Sequence, residues 1–188
     1  MARKRNDIAL TKGIIRNRII LRLKTQKEGQ STRKGACIAN KLFRTRVFMR
    51  AKIVMFYKAF KGEVDTDIMI KAAQKLGKIV VVPVCGKNRE LVPCILKDGV
   101  RLLRGPYGIR EPAVKRSVAL NSIDLVIVPG LAFTKNGKRL GRGKGYYDRF
   151  LYRLSSHAAT IGLAFDFQVL ADLPTNAMDV NVQKVIAA

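Results

Sequence analysis

The chain has 188 residues, with 37 Lys and Arg against 13 Asp and Glu and a single His, for a net charge of +24. Hydrophobic residues make up 48% and charged residues 27%, which excludes a disordered chain and predicts a globular protein with a sizeable core. Gly and Pro, 15 and 6, are too few for a collagenous or low-complexity chain, and apolar runs such as Ile79–Cys85 and Leu125–Val128 are strand-sized and cannot span a membrane.

The first residues, Met1-Ala2-Arg3-Lys4-Arg5-Asn6, lead into no apolar h-region, so no secretory signal is expected. Their Arg-rich, acid-poor character is shared with transit peptides, but the helix that follows reads as part of the domain. That helix is predicted over Thr11–Lys24, with Thr11 as its N-cap and apolar residues at 15, 19, 20 and 23 on neighbouring turns. A second, weaker helix is predicted over Thr32–Val47, capped by Ser31 or Thr32. Lys52–Tyr57 reads as a strand and Thr66–Leu76 as a helix, with Gly77 where a C-terminal cap belongs. Lys78–Val84, almost all Ile and Val, reads as a fully buried strand of a parallel sheet.

Strand, helix and strand within about thirty residues make a βαβ unit. Glu90–Leu96 is a further strand interrupted by Pro93. Gly99–Arg116 reads as loop, with Gly105-Pro106-Tyr107-Gly108 as turn chemistry. Ile123–Pro129 is another buried strand, Tyr146–Ser155 a helix with Tyr147, Phe150, Leu151 and Leu154 on one face, Thr160–Ala164 a strand, and Asp179–Ile186 a terminal strand or turn. The expected architecture is one three-layer α/β domain over 1–188. Its sheet is mostly parallel, doubly wound and Rossmann-like, with helices on both faces and a basic helical segment over about 1–50.

Cys37, Cys85 and Cys94 form no C-x-x-C pair, so neither a disulfide framework nor a cysteine zinc site is expected, and a reduced cytoplasmic protein is the simplest reading. The charge is uneven. Residues 1–52 hold 16 Lys and Arg against only Asp7 and Glu28. Such a field attracts polyanions non-specifically, with affinities of roughly 0.1 mM to 1 μM and no dedicated site. No C₂H₂ spacing, RNP-like segment or heptad array accompanies it.

The most unusual segment follows the strand at 123–129: Pro129-Gly130-Leu131-Ala132-Phe133, then Arg139-Leu140-Gly141-Arg142-Gly143-Lys144-Gly145-Tyr146-Tyr147-Asp148. Alternate glycines let backbone N–H groups approach a phosphate, and the cations add charge-assisted hydrogen bonds. Asp148 offers a hard oxygen for Mg²⁺. Neither the Walker A loop nor the dinucleotide fingerprint is present. The residues themselves therefore say "anion-binding loop, for a nucleotide triphosphate", against the alternative of a basic turn whose Asp148 favours a helix start. By its spacing with Phe150 and Leu151, Tyr147 reads as a core residue rather than part of this loop's site.

From Pro129 through Leu151 this segment resembles the signature of the 5-formyltetrahydrofolate cyclo-ligase family, also called methenyltetrahydrofolate synthetases. The resemblance extends more thinly to Lys12 and Arg16, to Tyr57 and Gly62-Glu63-Val64-Asp65-Thr66, to Tyr107-Gly108-Ile109 with Glu111-Pro112, and to Pro174 and Asp179. It implies ATP-driven closure of 5-formyltetrahydrofolate to 5,10-methenyltetrahydrofolate through a phosphorylated formyl (imidate) intermediate, with ADP and phosphate released. It implies ATP and Mg²⁺ as cofactors, and a folate, with or without a polyglutamate tail, as substrate. It places Arg139 and Lys144 at the transferring phosphoryl group. Lys12, Arg16, Gly145, Tyr146 and Tyr147 join them around the nucleotide. Tyr57, Glu63, Arg142, Gly143, Lys144, Gly145 and Tyr146 fall against the folate, and Asp148 and Asp179 on Mg²⁺. Lys12 and Arg16 lie one helical turn apart and share a face, which supports their pairing independently.

Thr134 stands where the family commonly has Asp, and Met178 precedes Asp179 where many members carry His. No His-based acid–base chemistry is expected from His157, on a surface turn. A monomer without membrane attachment is expected. Two other readings stay open here: a non-catalytic basic module of the same fold that binds RNA or another polyanion, and an ATP-binding domain acting on a different formylated or amide substrate.

Overall fold

The computed structural model describes residues 2–188. Helix α1 spans Ala2–Thr25, α2 Glu28–Phe43 and α3 Arg46–Arg50. Strand β1 (Ile53–Met55) leads through α4 (Asp67–Lys75) to β2 (Ile79–Cys85) and β3 (Leu91–Ile95). A hairpin of β4 (Leu102–Arg104) and β5 (Arg110–Pro112) precedes β6 (Leu125–Val128), β7 (Ala132–Thr134), β8 (Arg139–Leu140) and α5 (Tyr146–Tyr152). The chain closes with β9 (Ala159–Ala164), β10 (Val169–Leu170) and β11 (Lys184–Ala187).

Six strands form the central sheet in the order β11-β9-β6-β1-β2-β3. All neighbours run parallel except β3, which pairs antiparallel with β2 at the edge. Pro93 is tolerated because β3 lies at an edge, where a missing N–H can be left unpaired. From β1 the chain steps outward through β2 to β3. It then returns to β6 on the other side of β1 and steps outward again through β9 to β11. The sheet is therefore doubly wound, and its switch point lies between β1 and β6. Ligand crevices in such sheets open beyond the carboxyl ends of the strands at that point.

Alternation along the strands divides the core. Val54, Val80, Val82, Leu125, Ile127, Ile161 and Leu163 face α1 to α4 through Ile19, Leu23, Ile38, Leu42, Phe48, Met69 and Ile70. Met55, Val81, Val126 and Val128 face the other way, onto Phe133, Phe150 and Leu151, so α5 is the only α-helix, among the described residues, in that layer. Asp124 ties the sheet at its amino-terminal end, accepting from the N–H groups of Lys52 and Ile53 at 2.7 and 2.8 Å.

Several element boundaries differ from the sequence reading. The first helix begins at Ala2, because the basic segment before Thr11 contains no Gly or Pro to stop it. Thr11 is an interior residue whose hydroxyl donates to the Asp7 carbonyl at 2.8 Å. The second helix begins at Glu28, without a side-chain cap, and Ser31 donates back to the Glu28 carbonyl. It does not continue to Val47. The chain breaks at Arg44, and Thr45 caps the separate α3 by accepting from the Phe48 N–H. The 99–116 stretch is not all loop: Leu102–Arg104 and Arg110–Pro112 pair antiparallel around a turn at Pro106–Gly108. Three-residue strands carry too little alternation to be read from sequence.

Candidate active site

At the switch point α1 lies over the segment between β8 and α5. Lys12 and Arg16 share one face of α1, as their spacing predicts. Lys12 is 6% exposed and its Nζ pairs with Asp179 Oδ2. Arg16 Nε donates to the Gly141 carbonyl at 3.0 Å, and its guanidinium lies against Gly143. Gly143 has a φ of +91° and Gly145 one of +69°, left-handed conformations that suit glycine. Gly145 starts α5 and so turns Tyr146, Tyr147 and Asp148 into place.

Arg139, only 5% exposed, is held in β8. Its Nη2 reaches Asp148 Oδ1 at 2.5 Å and its Nη1 donates to the Pro129 carbonyl at 3.3 Å, at the end of β6. Asp148 Oδ1 also accepts from the Val180 N–H at 3.3 Å. Val180 follows Asp179, whose Oδ2 also accepts from the Asn176 N–H, so Asp148 is tied to the residue next to Asp179. A single chain of contacts therefore runs from Lys12 through Asp179, Val180 and Asp148 to Arg139. Two buried polar atoms beside it lack partners: Arg139 Nε and the Tyr147 hydroxyl, with the guanidinium carbon 6.0 Å from the Tyr147 ring centre. Burial, chiefly, holds Tyr147 protonated far above the usual tyrosine range. Such groups are costly to leave unpaired and suit a ligand that completes them.

The second half of the crevice is built on Glu63. Its carboxylate accepts from Arg142 Nε at 3.0 Å and from the Phe60 N–H at 3.1 Å. Arg142 also donates to the Phe60 carbonyl and lies 5.0 Å over the Phe60 ring. Burial pushes the Glu63 carboxyl above its ordinary value, against the downward pull of Arg142. Tyr57 is buried, and its hydroxyl donates to the Val64 carbonyl at 2.9 Å. Burial raises it well above the tyrosine range. It therefore buttresses the loop that carries Glu63 and presents no free hydroxyl.

Tyr146 and Lys144 stand at the mouth. The Tyr146 hydroxyl lies 3.4 Å from that of Tyr107, at the hairpin tip, and this hydrogen bond helps push its pKa up to about 12. Lys144 is exposed and takes part in no ion pair among the described residues. The sequence reading missed the backbone groups of Phe60, Pro129 and Val180 that orient these side chains; no residue-type signal marks them. It also gave no role to Glu111. This buried carboxylate accepts from the Cys85 N–H at 2.9 Å, beneath the mouth.

The donor set fits a magnesium nucleotide. Asp148 and Asp179 offer two hard carboxylates, linked through the Val180 N–H that Asp148 accepts, and no group of three or more metal-ligating side chains exists among the described residues. One or two carboxylates, completed by phosphate oxygens and water, is what Mg²⁺ takes. The departures at 134 and 178 fall outside this arrangement. Thr134 is the buried last residue of β7, whose hydroxyl donates to Asn136 and accepts from the Lys138 N–H. Met178 is 75% exposed. His157 is an exposed residue bonded to Ser155.

Fold and site together define a doubly wound α/β protein with a cation-rich crevice at its switch point. The sequence model of the 5-formyltetrahydrofolate cyclo-ligase family matches residues 9–188, and the chain belongs to that family. It is 28% identical over 177 residues to the 5-formyltetrahydrofolate cyclo-ligase of Mus musculus, covering 88% of this chain and 87% of that one. It is 34% identical over 137 residues to that of Haemophilus influenzae, covering 70% and 73%. Among solved structures it resembles the 5,10-methenyltetrahydrofolate synthetase of Aquifex aeolicus, with a TM-score of 0.84 at 31% identity over 94% of this chain and 89% of the other. No helix, among the described residues, is long and apolar enough to cross a membrane.

Proposed function

We propose that this enzyme converts 5-formyltetrahydrofolate to 5,10-methenyltetrahydrofolate at the expense of ATP, as one domain over 1–188 acting as a cytoplasmic monomer. The observation that carries the reading is the continuous contact chain Lys12–Asp179–Val180–Asp148–Arg139, next to the Glu63–Arg142 pair. One half of the crevice supplies charge for phosphates and the other an anchored carboxylate for an N–H-rich ring.

The formyl oxygen of the substrate attacks the γ-phosphorus of ATP, and the bond from that phosphorus to the β,γ-bridging oxygen breaks, releasing ADP. N10 then attacks the activated formyl carbon, loses its proton to solvent, and phosphate departs with the former formyl oxygen. Phosphoryl transfer needs alignment and charge neutralisation more than a protein nucleophile. Arg139 and Lys144 supply that at the transferring group. Lys12 and Arg16 hold the remaining phosphates from α1, and Gly145, Tyr146 and Tyr147 shape the nucleotide side. Asp148 and Asp179 hold Mg²⁺, which neutralises phosphate charge when bound. Glu63 is acceptor-only once ionised and fits pterin N–H donors. Arg142 orients it, Tyr57 stiffens its loop, and Gly143, Gly145, Lys144 and Tyr146 form the folate side of the loop.

In the free protein the cations Lys12 and Arg139 neutralise the two metal-binding aspartates. With the site loaded, Lys12 and Arg139 would turn to the phosphates, and Asp148 and Asp179 would be free to hold Mg²⁺. The test is isotopic. Substrate labelled with ¹⁸O in the formyl group should deliver the label to inorganic phosphate. Label released into water instead would overturn the phosphorylated intermediate.

A further inference from the structure

The end of the sheet opposite the crevice carries a second concentration of charge. There the amino-terminal ends of β9 and β11 meet the junction of α2 and α3. A cavity of about 490 Å³ opens between them, with Lys41, Arg44 and Arg46 on one wall and Thr160, Gln183 and Lys184 on the other. No residue lining it is acidic. The four cations are exposed, and none forms an ion pair among the described residues.

The walls are fixed by hydrogen bonds. Lys41 Nζ donates to the Ala187 carbonyl at 2.7 Å, and Thr160 and Gln183 exchange bonds of 3.1 and 3.0 Å. The positive surface continues through exposed Arg50 and Lys52. Asp124, the carboxylate at this end, is engaged by two backbone N–H groups. Four like charges around one concavity repel each other, and a polyanion relieves that repulsion. A groove admits a strand and excludes the flat surface of a bilayer. No aromatic residue lines it, so base stacking has no platform and sequence no reader.

We propose that this groove binds the phosphodiester backbone of RNA without reading its bases, at a site independent of the crevice. The six residues of β9 run between the two, a separation of about 17 Å at ~3.3 Å per residue. Each phosphate contact on a single strand contributes about 0.7 to the slope of log affinity against log salt.

The test is a salt titration of a labelled 20-nucleotide RNA by fluorescence anisotropy. The triple variant Arg44→Gln/Arg46→Gln/Lys184→Gln should shallow the slope by about 2, from three lost contacts, and weaken binding at least about tenfold. Arg18→Gln/Lys24→Gln/Lys27→Gln, which removes the same charge from exposed positions on and just after α1, should leave the slope nearly unchanged. Turnover of the groove variant should match the parent, and saturating RNA should leave KM for folate unchanged. Equal weakening by the two triples would overturn the proposal, because binding would then follow net charge alone. Competition between RNA and ATP would overturn it by placing RNA in the crevice. Binding to vesicles of anionic phospholipid without RNA binding would assign the groove to a membrane instead. Crosslinking of unmodified protein to RNA supplies a readout independent of the variants: adducts at 41–47 and 183–184 support the groove, and their confinement elsewhere refutes it.

Discussion

Replacing Arg139 with Met separates its structural and chemical roles. Arg139 is almost fully buried, pairs with Asp148 at 2.5 Å and caps the Pro129 carbonyl. Removing one member of a buried ion pair leaves the other uncompensated, at a cost of about 3–5 kcal/mol. Asp148 is partly exposed and keeps its bond from Val180, so the lower end, about 3 kcal/mol, is expected. For a chain of this size that lowers Tm by roughly 6–12 °C. Turnover should fall by about 10³-fold, the scale for a charged group acting on a transferring phosphoryl. Adding Asp148→Asn removes the orphaned charge and should recover most of the lost stability with none of the lost activity. Calorimetry and steady-state kinetics on the single and double variants decide the matter. A double variant no more stable than Arg139→Met would refute the ion-pair account, and a single variant active at 25 °C would refute the chemical role.

Lys144→Gln should lower kcat about 10²-fold while stability moves by less than about 0.5 kcal/mol, since the side chain is exposed and unpaired among the described residues; denaturant melts and kinetics check this. Asp179→Asn should both destabilise the protein, by stranding buried Lys12, and raise the Mg²⁺ concentration for half-maximal rate, which a metal titration reads. Glu63 has a raised carboxyl pKa in the fold, so ionising it costs more there than in the unfolded chain. Its favourable contribution is present below the unfolded value and is lost as pH rises through the folded one. Because Arg142 pulls that value down, Arg142→Gln should move the Glu63 titration to higher pH by carboxyl ¹³C NMR.

The βαβ core was legible because its signals are periodic. Ile68, Met69, Ala72, Ala73 and Leu76 mark α4, and Gly77, with φ of +73°, ends it where the sequence places the stop. The same holds for β6, buried throughout, and for the middle of β2, although Ile79 at its start is exposed and Pro83 and Cys85 are half-buried. The start of α1 was not legible, since Thr11 carries a cap's chemistry without a cap's position. The site was legible as a set of residue types and illegible as a wiring diagram. Lys12 and Asp179 stand 167 positions apart, and nothing local to either reveals the other. Nor does the sequence show that Tyr57 spends its hydroxyl on Val64, or that Arg139 and Tyr147 bury atoms awaiting a partner.

The most direct test of the central claim is the ultraviolet absorbance of the methenyl product. Purified protein is mixed with 5-formyltetrahydrofolate in the presence and absence of ATP and Mg²⁺. Absorbance should rise only when both are present, and one phosphate should appear for each product molecule. A folded protein that binds ATP and yields no methenyl signal would contradict the assignment of folate to the Glu63 side of the crevice.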